Sequence, residues 1–499
     1  MYIMNFRIVI PLLICTISSF AQTPFLEIPN NLSEKNNSVE NAYVVVDEEK
    51  NTISTFLTNE NTINAYLYSQ DLEPLAKFSS KGLSEGYNEI IGKTVKNGQV
   101  RLYFKEYYNK KFGAILFDFD RGRSIETEFG FKLDDEIYLQ AHSYQDRLYI
   151  ITVIKKSSIL NIYTFQHDGK FEKKSFDFTE NIFVNGKNEP TTLYKLLHDN
   201  FNGVTSVVKI EESNPNSIQI TSNLSKIYDR GNTFILSIDK ESLFTYLLEF
   251  SVPELSVKIA AIEKLNEIGD EKFNTTNSYL YKDKIFQIGG NSKIMVLTIK
   301  ELGTKMELKR LVLSKDEEIS FKNSPIIQED STNQSIKTEE LDKTALLLQI
   351  FNNGNSGVAV NPTSNGYQVT MGGSEIIKKG GGAFGPMMMG GPGNGMTINS
   401  TSSGMIVTSS FNPTFYSFGG YPYQETNRAK RIECLFDENF EHIEGETPQN
   451  VFNRLRKHTS NLPKAKAETL FKMNDFFVYG RYFTIENVYK FFKFSEQSL

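Results

Sequence analysis

Four short apolar runs separated by turns recur five times along the chain, at intervals near 50 residues. This spacing predicts an all-β fold of the β-propeller class, with seven four-stranded blades. Two further observations support it. The runs alternate apolar and polar residues, the period of a half-buried strand. The chain also holds 24 Tyr and 38 Phe but no Trp, and aromatic residues suit a pleated surface.

The first unit begins at Ala42 with AYVVVDE, followed by NTISTFLT, INAYLYSQ and EPLAKFS. The second is NEIIGKTV, QVRLYFKEYY, FGAILFDF and SIETEFGF. Asn97-Gly98 joins its first two strands and Arg121-Gly122 its last two. Asn-Gly between alternating runs is a strong hairpin signal. The third unit is IYLQAHS, RLYIITVIKK, ILNIYTFQ and KFEKKSFDF, with a turn at His167-Asp168-Gly169. Ile53, Leu102 and Tyr149 stand at matching positions, 49 and 47 residues apart.

A helical insertion follows the third unit. Leu193, Leu196 and Leu197 form one apolar side behind a cap at Thr191 or Thr192, and VTSVVKI from Val204 offers an extra hairpin. The fourth unit reads SIQITSN, TFILSIDK, LFTYLLEF and SVKIAAIE. The fifth reads TTNSYLYK, KIFQIGG, KIMVLTIK and KMELKRLVL, completing the five clear units over residues 42–313.

The pattern loosens over residues 314–446. Lys315 to Glu340 is polar and acidic and reads as a long exposed loop. Strands are expected at TALLLQIFN, GVAVNPT and GYQVTMG, then at GMIVTSSF and RIECLFDENFEHIEG. Between them lies a Gly/Met-rich stretch, 380–396, within a loop at 375–403. Thr447 to His458 reads as a second helical insertion, with Val451, Phe452 and Leu455 on one side. The last unit, within 447–499, has three strands: AETLFKM, FFVYGRYF and NVYKFFKF. Phe25-Leu26-Glu27-Ile28 is placed to supply its fourth and close the ring. Residues 22–499 are thus expected to form a single domain. A split near 315 is the rival arrangement.

Residues 1–21 read as a secretory signal peptide. Arg7 supplies the charge, Ile8 to Phe20 the apolar core, and Ser19-Phe20-Ala21 the cleavage site. The apolar run is too short to span a bilayer. Lipidation at Cys15 is the alternative, but Leu13 and Ile14 stand where lipoprotein signals take small residues. Phe20-Ala21-Gln22, with the abundant Asn, Lys, Ile and Phe, resembles exported β-propeller-like proteins of Bacteroidota. The resemblance implies a periplasmic or cell-surface location and assigns no activity. Net charge is −6, without a dense basic run, so no nucleic-acid footprint is present. Cleavage leaves Cys434 as the sole cysteine, which precludes an intramolecular disulfide. Its alternating surroundings favour a buried, inert thiol.

Chemistry-bearing motifs are sparse. His142, His167, His198, His442 and His458 show no metal-ligand spacing. His167 is expected to be a solvated turn residue. Asp118 and Asp120 are expected on a solvated strand face, and Asp134-Asp135-Glu136 in a polar turn. Six of the 11 methionines, Met371, Met387, Met388, Met389, Met396 and Met405, cluster in the second half. A flexible loop without ligand is the favoured reading. A contact surface for a protein partner around Met387 to Met396 is the second, because Met side chains repack around varied partners. A Cu(I) site at Met387, Met388, Met389 and Met396 is the third, though no His or Cys accompanies them. Asp330-Ser331-Thr332 resembles the O-glycosylation acceptor of Bacteroidota and is expected in the acidic loop. No catalytic residue or cofactor is assigned. The expected function is an exported binding or scaffold module making protein–protein contacts. The alternative is a hydrolase or lyase acting on an extracellular glycan or peptide at the central channel.

Overall fold

The computed structural model describes residues 24–31, 39–378, 406–407 and 425–495. Short breaks within these ranges fall at 60–61, 85, 107–110, 199–206, 213–214, 241–242, 332–335, 449–450, 452–453, 456–457, 459–465 and 474–475. The expected signal peptide lies outside the described residues.

Among the described residues nine sheets form, of which seven have four or five strands. The first sheet runs Asn41–Asp47, Thr52–Thr58, Ile63–Ser69 and Pro74–Ser80 as a simple meander. The second, third and fifth follow the same plan over residues 87–129, 136–177 and 275–314. Their turns use the expected chemistry. Asn97 and Gly98 both take positive φ, 53° and 78°, which a two-residue hairpin with right-handed twist requires.

Inner and outer strands differ in burial. Phe112–Asp118 is buried at every position, whereas its outer neighbour Arg123–Phe129 has no buried position. A strand covered on both faces reads as a continuous apolar run, while a rim strand meets water. The cores therefore lie between sheets. Tyr43, Val45 and Phe56 of the first sheet pack on Ile90, Leu102 and Phe117 of the second. Tyr103 and Ala114 of the second pack on Leu148 and Phe165 of the third. Tyr149 and Ile162 of the third meet Phe234 and Leu248 of the fourth. One larger core joins the fourth, fifth and sixth sheets. Val478 and Phe491 of the last sheet pack on Val44 and Ile53 of the first. Sheets packed face to face in succession, with their first strands side by side in several pairs, are the arrangement of a propeller.

The last sheet contains Lys466–Met473, Phe476–Phe483 and Val488–Ser495, with Leu26–Pro29 as its outer strand. Leu26 pairs with Phe491 and Pro29 with Val488, antiparallel. Ile28 is fully buried. Asn30 extends the tie, its side chain accepting from Asn64 Nδ2 of the first sheet at 3.1 Å.

The helical insertion forms at Leu193–Leu197, with Leu193, Leu196 and Leu197 buried. Thr192 caps it, accepting from the Lys195 backbone N–H at 3.3 Å. In the second helical stretch Val451 and Leu455 are buried against the last sheet, while Phe452 lies outside the described residues.

Five expectations are corrected. Ile218–Thr221 is a short helix rather than a strand, and the fourth sheet uses Ser225–Asp229 instead. Beside it Val208–Glu211 pairs in parallel rather than as a hairpin strand among the described residues. Thr344–Leu348 and Ile350–Asn353 are helices, because the buried Thr344, Leu347, Leu348 and Phe351 recur at helical rather than alternating spacing. The expected 315–340 loop contains the hairpin Ile326–Ser331 and Ile336–Leu341. Ile406–Val407 pairs in parallel with Glu89–Ile90 of the second sheet, not within the sixth. The sixth sheet is itself permuted. From its inner edge it runs Asn355–Thr363, Gly366–Lys378, Glu425–Phe436, Ile326–Ser331 and Ile336–Leu341. The two outer strands thus precede the inner three in sequence.

Candidate binding cleft

The permuted sheet gathers three distant segments at its rim. Lys322 to Ile326, Leu341 with Asp342, and Glu444 with Gly445 enclose a cleft of about 460 Å³. That volume lies within the range of small-ligand sites. Ile326 is buried and Leu341 half-buried, which gives an apolar floor. Lys322 stands on one wall, and the carboxylates of Asp342 and Glu444 are exposed on the others.

Asn323 holds the walls together. Its Nδ2 donates to the carbonyls of Ile443 at 2.8 Å and Gly445 at 2.9 Å. Its Oδ1 accepts from the Leu435 N–H at 2.7 Å and lies 3.1 Å from His442 Nε2. Its own N–H donates to Glu433 O, and the neighbouring Ser324 hydroxyl accepts from Glu433 N. Lys309 of the fifth sheet reaches Glu441 at 2.7 Å and fixes the 437–445 segment from outside. A cleft with these bonds already made loses little freedom on binding.

The sheet beneath is braced by half-buried ion pairs. Arg431 pairs with Glu329 at 3.3 Å, and Gln219 donates to the same carboxylate at 2.8 Å. Arg428 grips Asp330 through two bonds of 2.8 and 2.9 Å. Asp330 and Ser331 therefore sit inside a strand rather than an exposed loop, and Thr332 lies outside the described residues. The resemblance to a glycosylation acceptor loses its expected setting.

The histidines occupy separate environments. His142 is fully buried, with Nε2 3.0 Å from Gly231 O and Nδ1 3.3 Å from Asp229. Burial works to raise the Asp229 carboxyl, but Lys209 at 2.8 Å and His142 hold it far below its usual range. The His198 carbonyl accepts from Lys240 Nζ. His458 packs on Phe492. His167 corrects the sequence reading. It is 7% exposed, and burial together with the Arg101 charge pulls its pKa down to about 4. Asp118 is likewise buried, accepting from Gln99 and Arg121 at 3.0 Å each, while Asp120 is exposed. Cys434 is fully buried and its thiol pushed up by that burial. Met371 is also buried. Met387, Met388, Met389, Met396 and Met405 lie outside the described residues.

A carboxylate and a tyrosine do meet at Glu136 and Tyr163, 3.0 Å apart. Lys173 at 2.7 Å and the Thr152 hydroxyl saturate the same carboxylate. Burial favours the neutral acid, yet these bonds hold its pKa down. The group is built as a structural ion pair. Among the described residues no group of three or more His, Cys, Asp or Glu side chains is placed to hold a metal. Nor is any helix among them long and apolar enough to cross a membrane.

Sheet pairing and packing thus define an all-β protein of propeller architecture. No family model and no curated protein matches the chain. Solved structures similar in outline include the following three. A mutant of the Synechocystis apocarotenoid oxygenase aligns at TM-score 0.30 and 7% identity, over 57% of this chain and 64% of that one. This match spans less than two-thirds of the oxygenase. The Dos1 propeller aligns at TM-score 0.28 and 9% identity, over 86% of this chain and 98% of that one. A functionally unknown protein from Desulfotomaculum acetoxidans aligns at TM-score 0.26 and 10% identity, over 67% and 82%. Likenesses this slight carry no argument about activity. The fold rests on the strand pairing itself.

Proposed function

We propose that the chain is an exported binding or scaffold module. On this reading a cleaved signal peptide precedes one seven-bladed ring, closed by the Leu26–Pro29 strand, that works in the periplasm or at the cell surface. The observation that supports it is the rim cleft framed by Asn323, whose walls are bonded before any partner arrives. Its partner is an extended peptide segment of another protein, with an apolar side chain for the Ile326–Leu341 floor and a basic one for Asp342 and Glu444. The cleft opens beside the sheet's outermost strand, Ile336–Leu341, whose exposed Lys337, Glu339 and Glu340 guard that edge against indiscriminate pairing.

Site-specific photo-cross-linking in the native host tests this. A photoreactive amino acid replacing Asp342 is expected to give one discrete protein adduct. The same residue replacing Ile485, fully exposed on the last sheet, is expected to give none. No adduct at 342, or the same adducts at both positions, would overturn the proposal.

A further inference from the structure

Arg101 stands in the second strand of the second sheet, opposite Thr94 in the ladder. It is only 4% exposed, yet its Nε and Nη1 have no hydrogen-bond partner among the described residues. A buried guanidinium without a partner is costly, because its donors lose water and gain nothing. Two carboxylates are near enough to act on this region through their charge, and both are committed elsewhere. Asp168 holds Lys170 at 3.0 Å, and Asp146 holds Lys96 at 2.7 Å.

The third sheet brings a second unsatisfied donor or acceptor to the same seam. His167 Nδ1 lies 2.9 Å from the Thr94 hydroxyl, and its Nε2 is buried and unpartnered. Tyr103 donates to Gln166 O at 3.1 Å and fixes this turn against the second sheet. Gly169 covers the guanidinium. A Cβ there would sit 3.4 Å from Arg101 Nη1, with Phe129 the next neighbour at 3.8 Å. The missing side chain leaves a methyl-sized opening over the cation. Gly169 takes φ of 89°, so the turn itself favours glycine.

We propose that the seam between the second and third sheets is a small-oxoanion site, with Arg101 and His167 as its donors and the Gly169 turn as its cover. The planar fork of Arg suits a carboxylate or a phosphate-type group. A neutral His167 that accepts from Thr94 at Nδ1 presents Nε2–H as a further donor. The ligand is either a free inorganic anion or the acidic end of a larger molecule.

Calorimetric titration and thermal unfolding of the full mature chain test the site. Inorganic phosphate, sulfate and acetate are compared with chloride at constant ionic strength. At least one oxoanion should raise the melting temperature saturably above chloride, and Arg101→Met should weaken its binding at least about tenfold. Preference for phosphate and sulfate over acetate would assign a tetrahedral ligand, and the reverse a carboxylate. Equal effects of all four salts would overturn the proposal, as would an unchanged response in Arg101→Met. Should that variant not fold, the histidine nitrogen NMR spectrum of the wild-type chain decides. The His167 Nε2 resonance is expected to move on anion addition, and a fixed resonance would refute the site.

Discussion

Asp239 anchors a buried network of charges and hydroxyls. Its carboxylate accepts from Thr245 and Ser278 at 2.7 Å each and lies 3.7 and 3.8 Å from Lys226 and Lys264. All three charges are fully or almost fully buried, so two lysines share one anion. Removing that anion leaves two unpaired cations. Asp239→Ala is expected to cost about 3–5 kcal/mol in chemical unfolding. Burial, opposed by Asp239 and reinforced by Lys264, lowers the Lys226 pKa to about 8. An unfolded lysine titrates near 10.4. Between those values the unfolded chain holds the proton that the folded chain has released, so this group adds stability as pH rises from about 8 toward 10. Unfolding midpoints across that window should rise less steeply in Lys226→Met than in the wild type. An equal slope would assign the effect to another group. None of this network is legible in the sequence, where Lys226, Asp239 and Lys264 are ordinary strand and turn residues. His167 and Asp118 were misread for the same reason. Their turns look solvated until a neighbouring sheet or side chain covers them.

The regular strands were legible because their inward faces repeat with period two and their turns carry Asn-Gly or Gly. The misread segments lack that signal. Ser225–Asp229 is short and half polar, so the more apolar Ser217 to Asn223 reads as the strand in its place. The 326–341 hairpin carries Glu329, Asp330, Glu339 and Glu340, and its strand character comes from pairing with Glu425–Phe436. The N-terminal strand is legible in Phe25-Leu26-Glu27-Ile28. Its four residues pair along Val488–Phe491 and bury Ile28 between the last and first sheets. Ile28→Asp places a charge there without a partner and is expected to cost on the order of 4 kcal/mol. Deleting Thr23 to Asn30 should lower the melting temperature at least as far. A melting temperature unchanged by both would show that the strand is an ornament.

Across the molecule, the regular sheets and the permuted one build different things. The five even sheets supply face-to-face cores, and the sixth, whose strand order departs from the chain order, builds the cleft. Its lining runs from Lys322 to Gly445 along the sequence, which is why no local motif announced it. The first strand completes the last sheet and ties the two ends of the chain together. Glu27 and Lys490 are Cα partners there, joined by an ion pair of 3.3 Å. Replacing both with cysteine in the mature chain gives the most direct test, since native Cys434 is buried and shielded. Glu27→Cys/Lys490→Cys is expected to oxidise to a single intramolecular disulfide, migrate faster on a non-reducing gel and melt at a higher temperature than its reduced form. A folded double variant whose two thiols both remain free under oxidation would contradict the closed ring.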